Sequence, residues 1–137
     1  DVVDGVAADF LPTISIESAP GPRQLKRGVR AEWRRLLTRL GEEKRPVLVT
    51  AAGFTSTSMT HASPYRPNGA TDTRAQAAAL EGLLRGLAAE ERVAGLLLLD
   101  WPTDPARGGP RDRSFTPRGK PAEGVLRAHW AARDGGR

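Results

Sequence analysis

Apolar and polar positions follow two different periods along the chain, and the period decides which element each stretch forms. Between about residues 23 and 40, Leu25, Val29, Trp33, Leu36, Leu37 and Leu40 recur every three or four positions. Arg27, Arg30, Arg34 and Arg35 lie mostly elsewhere around the wheel, which predicts an amphipathic helix. Pro22 suits its first turn and Gly41 its end. Thr73 followed by Gln76 fits a capping box for a second helix, with Ala77, Leu80, Leu83, Leu84 and Leu87 as its buried stripe. Gly82 and Gly86 are expected to weaken that helix by about 1 kcal/mol each. Pro121 opens a third helix with Ala122, Val125, Leu126, His129 and Trp130 on one face.

Three apolar runs of strand length precede these helices. Residues 2–8 are interrupted by Asp4 and Gly5, and residues 47–50 are β-branched and lead into Ala51-Ala52-Gly53-Phe54. Residues 93–99 show no alternation, as expected of a parallel strand covered on both faces. The order β-α-β-α-β-α predicts an α/β fold with right-handed parallel crossovers. Functional groups in such sheets gather at the carboxyl ends of the strands, here Asp9-Phe10, Thr50 to Phe54, and Asp100-Trp101. Polar stretches 55–70 and 102–119 leave the same edge and are long enough to be functional loops. The last residues, 134–137, are expected to fray.

Composition narrows the function classes. With 137 residues, 39% hydrophobic and 27% charged, the chain fits a globular domain, and no apolar run approaches the roughly 20 residues of a membrane span. The absence of cysteine excludes a disulfide framework, a thiolate zinc site and a cysteine nucleophile, and leaves the compartment open. Of the 21 basic residues only Lys26, Lys44 and Lys120 are lysines. An arginine-, alanine- and glycine-rich, lysine-poor composition is the bacterial type expected of a GC-rich coding sequence, so the net charge of +5 is read as a composition effect. Arginines scattered over helices and loops, with seven aromatic residues, speak against nucleic-acid binding.

Several chemistries are missing from the sequence. It contains no Gly-rich nucleotide turn, no P-loop and no nucleophile elbow. His61 in a loop and His129 on a helix face have no obvious partners, His129 is read as structural, and their spacing builds no metal site; no metal and no cofactor are expected. What stands out is Asp100, placed to orient a ligand, and Trp101 beside it, whose ring can bury the C–H face of a sugar. The plainer reading of Trp101 is a large side chain closing the top of a barrel.

These segments, taken in order, resemble a known family. Arg45-Pro46-Val47-Leu48-Val49-Thr50-Ala51-Ala52-Gly53-Phe54 comes first, then Gln76, then Gly95 through Asp100-Trp101. Gly108-Gly109-Pro110 and Phe115-Thr116-Pro117-Arg118-Gly119-Lys120-Pro121-Ala122 complete the series. The series resembles the C-terminal part of TIM-barrel glycoside hydrolases of the endo-β-1,4-mannanase type, glycoside hydrolase family 113 and relatives. The resemblance implies a partial (β/α)8 TIM barrel over residues 1–133, its strands being the sixth, seventh and eighth, with 134–137 as a flexible tail. It implies a substrate-binding set of Trp101, Asp100, Phe54, Phe10 and Asp9. Phe54 stands where the family has Tyr, and Ala51 stands where the family has its nucleophilic Glu. The family's acid/base lies on strand four, which this chain does not contain, and Glu17 and Asp72 read as a loop residue and a helix-cap neighbour rather than substitutes.

Both catalytic carboxylates are thus expected to be missing, and the implied function is that of a pseudoenzyme fragment that binds at most a β-linked saccharide. The alternative is a structural or assembly module packed on another chain or on a missing N-terminal barrel half. A TIM barrel takes about 250 residues, and the chain opens on Asp1 with no initiator Met and no signal pattern, so it is expected to begin partway through a longer one.

Overall fold

The computed structural model describes residues 4–134. Three parallel strands, β1 (Val6–Asp9), β2 (Val47–Ala52) and β3 (Val93–Leu98), lie side by side in that order. They alternate with α1 (Pro22–Leu40), α2 (Thr73–Leu87) and α3 (Pro121–Asp134). The first strand starts only after the Asp4-Gly5 interruption, while residues 2 and 3 lie outside the described residues. So does the expected tail, apart from Asp134, which closes α3.

Local chemistry explains the helix ends. Pro22 fills the first position of α1, the Gln24 side chain accepts from the Gly21 amide at 2.7 Å, and Gly41 turns the chain out at φ 60°. The α2 start differs from the expected Thr73–Gln76 box. Asp72 is the cap, its carboxylate accepting from the amides of Arg74 and Ala75 at 3.0 and 2.9 Å. A charged acceptor satisfies those amides better than a threonine hydroxyl one residue later, and it releases Gln76 for another task.

All the packing lies on one side of the sheet. Val47, Val49 and Ala52 are fully buried among Leu25, Val29 and Trp33 of α1 and Leu80, Leu83 and Leu84 of α2. On the opposite side Leu48 and Leu97 are 40% and 54% exposed. The expectation that β3 is covered on both faces is therefore corrected: within this chain the helices shield one face, and the unbroken apolar run of β3 leaves the other open.

Close helix packing gives the α2 glycines a role beyond weakening the helix. A Cβ on Gly86 would lie 2.5 Å from Val29 Cγ1, and one on Gly82 would lie 2.9 Å from Leu25 Cβ. Gly28 is tighter still, since a Cβ there would meet the Ile14 carbonyl oxygen at 1.8 Å. These positions let α1 approach both α2 and the segment after β1.

The central strand carries a bulge at its carboxyl end. Against β1, Ala8 pairs with Val49 but Asp9 with Ala51; against β3, Leu96 pairs with Val49 and Leu98 with Ala52. One extra residue is thus accommodated on β2 relative to both neighbours, at Thr50 and Ala51. Both are half-buried between the fully buried Val49 and Ala52, so both have left the helix-covered face.

Gly86→Ala is expected to destabilise the fold by about 1–3 kcal/mol from overpacking against Val29, more than the roughly 1 kcal/mol of helix propensity it gains. Gly124→Ala, in open space on α3, should instead stabilise. Urea melts of the two variants check the pair, and a rise in midpoint for Gly86→Ala would contradict the packing account.

Candidate functional site

The carboxyl ends of the strands form one edge. Asp9, last in β1, accepts a hydrogen bond from Thr50 Oγ1 at 2.7 Å, so one carboxylate oxygen is already committed to the bulge. The Phe10 amide donates to the Ala51 carbonyl and the Leu99 amide to the Ala52 carbonyl, both at 2.8 Å. Backbone bonds therefore hold Ala51 in place while its side chain is only a half-buried methyl.

Asp100 and Trp101 follow β3 on the same edge. Asp100 faces the Arg107 guanidinium at 3.8 Å through Oδ2, while its Oδ1 is buried with no partner among the described residues. Trp101 is 55% exposed, and the Arg118 guanidinium lies 5.3 Å from its ring centroid. Arg118 is itself anchored to the carbonyls of Pro102 and Asp104, both at 2.8 Å. A cation fixed over an indole adds about 0.5–1 kcal/mol at an exposed site and holds the ring in one orientation.

Phe10 and Phe54 are placed elsewhere. Phe10 packs edge-on against Trp33 at 5.7 Å, and both phenylalanines are core residues with at most 4% exposure. Neither ring has a surface left for a ligand, which corrects their expected role in binding. The histidines lie elsewhere too: His61 is buried with Nε2 2.7 Å from the Glu17 carbonyl, and the His129 ring meets Trp130 edge-on. Among the described residues no three His, Cys, Asp or Glu side chains converge as a metal site would require, and no helix is long and apolar enough to cross a membrane.

Beneath this edge lies a buried polar hub. Gln76 is 2% exposed; its amide nitrogen donates to the carbonyls of Phe54 at 2.9 Å and Phe115 at 2.8 Å, and its oxygen accepts from Ser56 Oγ at 2.8 Å. The Lys120 side chain, fully enclosed, donates to Ser56 Oγ at 2.7 Å, Asp112 Oδ1 at 3.1 Å and the Ser114 carbonyl at 3.2 Å. The loop after β2 and the loop after β3 are thereby tied to α2 and to the start of α3. Gly108 completes the clasp at φ 115°, where a Cβ would lie 2.6 Å from the Arg118 carbonyl oxygen.

Sequence reasoning passed over this hub, although one signal was present. Gln76 lies three, four and seven residues before Ala79, Leu80 and Leu83, in phase with the buried stripe. The loop threonines were equally disguised. Thr55, Thr57 and Thr60 are buried and bonded to one another through Thr55 Oγ1 at 3.0 and 3.3 Å, so only the distal part of the 55–70 loop is solvent-facing.

The ion pair in the hub sets two titrations. For Asp112, burial favours the neutral acid, but the Ser114 hydroxyl and amide and the Lys120 ammonium outweigh it and bring the carboxyl down to about 2. For Lys120, burial pulls the ammonium below its ordinary value despite the opposing pull of Asp112 and Asp100.

With this geometry the chain matches solved mannanase structures. A GH113 β-1,4-mannanase determined as a complex aligns with a TM-score of 0.74 and 22% identity, over 95% of this chain and 40% of that one. Another GH113 β-1,4-mannanase aligns with a TM-score of 0.65 and 21% identity over 78% of this chain and 36% of its own. The GH113 β-mannanase from Alicyclobacillus acidocaldarius in complex with ManMIm gives a TM-score of 0.66 and 25% identity over 94% and 39%. The chain thus shares the fold of part of these barrels and spans about two fifths of their length. No protein-family profile and no curated protein matches it.

Because the Asp112 carboxyl is lowered in the folded state, its stabilising effect is complete above its unfolded value of about 3.9 and is lost as pH falls towards about 2. Asp112→Asn should remove that part of the acid-induced loss of stability, read from denaturant midpoints across this range. Lys120→Met should destabilise by about 3 kcal/mol, as removing one partner of a buried pair does. An unchanged melt would show that the clasp holds nothing together.

Proposed function

We propose that this chain is a glycoside-hydrolase-like segment, contributing the sixth to eighth strands of a mannanase-type barrel, that binds saccharide without hydrolysing it. The observation that carries the reading is Trp101, braced by Arg118 yet 55% exposed beside Asp100, on the edge where Ala51 sits in its bulge. An indole held by a cation and open to solvent is a platform for the C–H face of a pyranose.

Hydrolysis with retention requires two carboxyl groups about 5–5.5 Å apart, one as nucleophile and one as acid/base. On this reading Ala51 occupies the nucleophile position and supplies none. The neighbouring carboxylates have other work: Asp9 is bonded to Thr50, and Asp100 faces Arg107. The matched structures are mannanases, so the ligand class is a β-linked mannan chain.

The exposed Leu48 and Leu97 favour a second reading of the same segment, as a piece that packs against another chain or against further barrel strands. The two readings are compatible, since the sugar platform lies at the strand ends and Leu48 and Leu97 lie along the sheet face.

Titration with mannan oligosaccharides is expected to shift the Trp101 indole resonance and to release no reducing sugar, and Ala51→Glu alone should not restore release because the acid/base is still missing. An unmoved Trp101 resonance at saturating sugar would refute binding. Reducing sugar from the unmodified chain would refute the loss of catalysis.

A further inference from the structure

The arginines, scattered in sequence, fall into paired and unpaired sets in three dimensions. Away from α1, Arg85, Arg107 and Arg127 each meet a carboxylate, and Arg92, Arg113 and Arg118 each donate to a backbone carbonyl. On α1, Arg30 and Arg35 are similarly paired, with Glu90 and Glu32. Arg23, Lys26, Arg27 and Arg34 are exposed, and none has a hydrogen-bond or ion-pair partner for its side chain among the described residues; Arg39, Lys44, Arg66, Arg74 and Arg111 are exposed and unpaired as well but lie off this helix face, so what sets the four apart is their placement.

Their placement is linear. At 3.6 residues per turn, Arg23, Arg27 and Arg34 fall within about 40° of one another, with Lys26 on their flank, and the row runs about 16 Å along the helix. Arg23, Lys26 and Arg27 line one open groove. Arg23, at the start of the row, also works against the helix that carries it. The first turn of α1 holds no acidic residue, and cations near a helix N-terminus oppose its macrodipole by about 0.3–1 kcal/mol each. Arg39, in the last turn, is favourable for the same reason and is not part of the row.

We propose that this face of α1 is a docking ridge for a linear, uronate-bearing polysaccharide. Unpaired cations in a row complement carboxylates repeated along a flexible polymer. Single-stranded nucleic acid would need aromatic side chains to stack on, and the aromatic residue of α1, Trp33, is fully buried. A membrane surface would need an apolar stripe to insert, and Leu25, Val29, Trp33 and Leu36 already face the core. The ridge lies on the outer surface of its helix, opposite the buried stripe of Leu25, Val29, Trp33 and Leu36, and is distinct from the sheet face that carries Leu48 and Leu97. The choice of a polysaccharide among linear polyanions rests on the saccharide reading above, whereas the ridge does not.

The test is binding of polygalacturonate to the full chain, measured from low to physiological salt. The expected result is binding that weakens with salt, and a weakening of at least about tenfold for the variant R23Q/K26Q/R27Q/R34Q. The control variant K44Q/R66Q/R74Q/R111Q removes the same charge from unpaired positions elsewhere and should lose far less; circular dichroism confirms that both variants fold. Equal losses in the two variants would reduce the effect to net charge and overturn the proposal. So would absent binding, or equal or tighter binding to duplex DNA or to phosphatidylglycerol vesicles. Mannan-oligosaccharide titration is read separately, so failure of the Trp101 platform and failure of the ridge are distinguishable.

Discussion

Backbone carbonyls withdrawn from water must find donors, and here the donors are two side chains. The carbonyls of Phe54, Phe115 and Ser114 are met by the Gln76 amide and the Lys120 ammonium. The loops after β2 and β3 therefore lie against each other at the site edge, instead of extending separately into solvent. An uncompensated polar group in this place would cost a few kcal/mol, comparable with a sizeable part of a domain's net stability. The position of Trp101 follows from the clasp, because Arg118, which braces the indole, is two residues before Lys120 and shares its turn.

The periodic elements were legible in the sequence because each depends on a single local rule. The three-and-four spacing from Leu25 to Leu40, the proline starts and the terminal glycine are local properties, and α1 and α3 appear close to where they are expected. The α2 cap was displaced by one residue because two adjacent residues, Asp72 and Thr73, can both cap, and the charged one prevails. What local rules could not show was sidedness. An apolar run such as residues 93–99 satisfies equally a strand buried on both faces and one whose second face has no cover within the chain.

The site was half legible. Asp100, Trp101 and Ala51 lie together on the strand-end edge, as strand polarity alone requires. Phe10 and Phe54 were misplaced because the residue after a strand can point either way, and both turn toward the helices. Gln76 was assigned to a helix cap and Lys120 given no role of its own because their partners are distant in sequence: Lys120 is 64 residues from Ser56. Such pairings follow from the tertiary fold and have no local signature. The arginines show the same limit, since their number was evident at once while their division into paired and unpaired sets required the structure.

The bulge at Thr50 and Ala51 has a consequence for the site it carries. Its geometry is held by backbone bonds on both sides, from the Phe10 amide to the Ala51 carbonyl and from the Leu99 amide to the Ala52 carbonyl, and neither bond involves the side chain of residue 51. Both bonds run through the main chain alone. A scaffold of this kind separates shape from chemistry: the backbone bonds that hold the strand end in place are indifferent to whether the side chain beside them carries a reactive group.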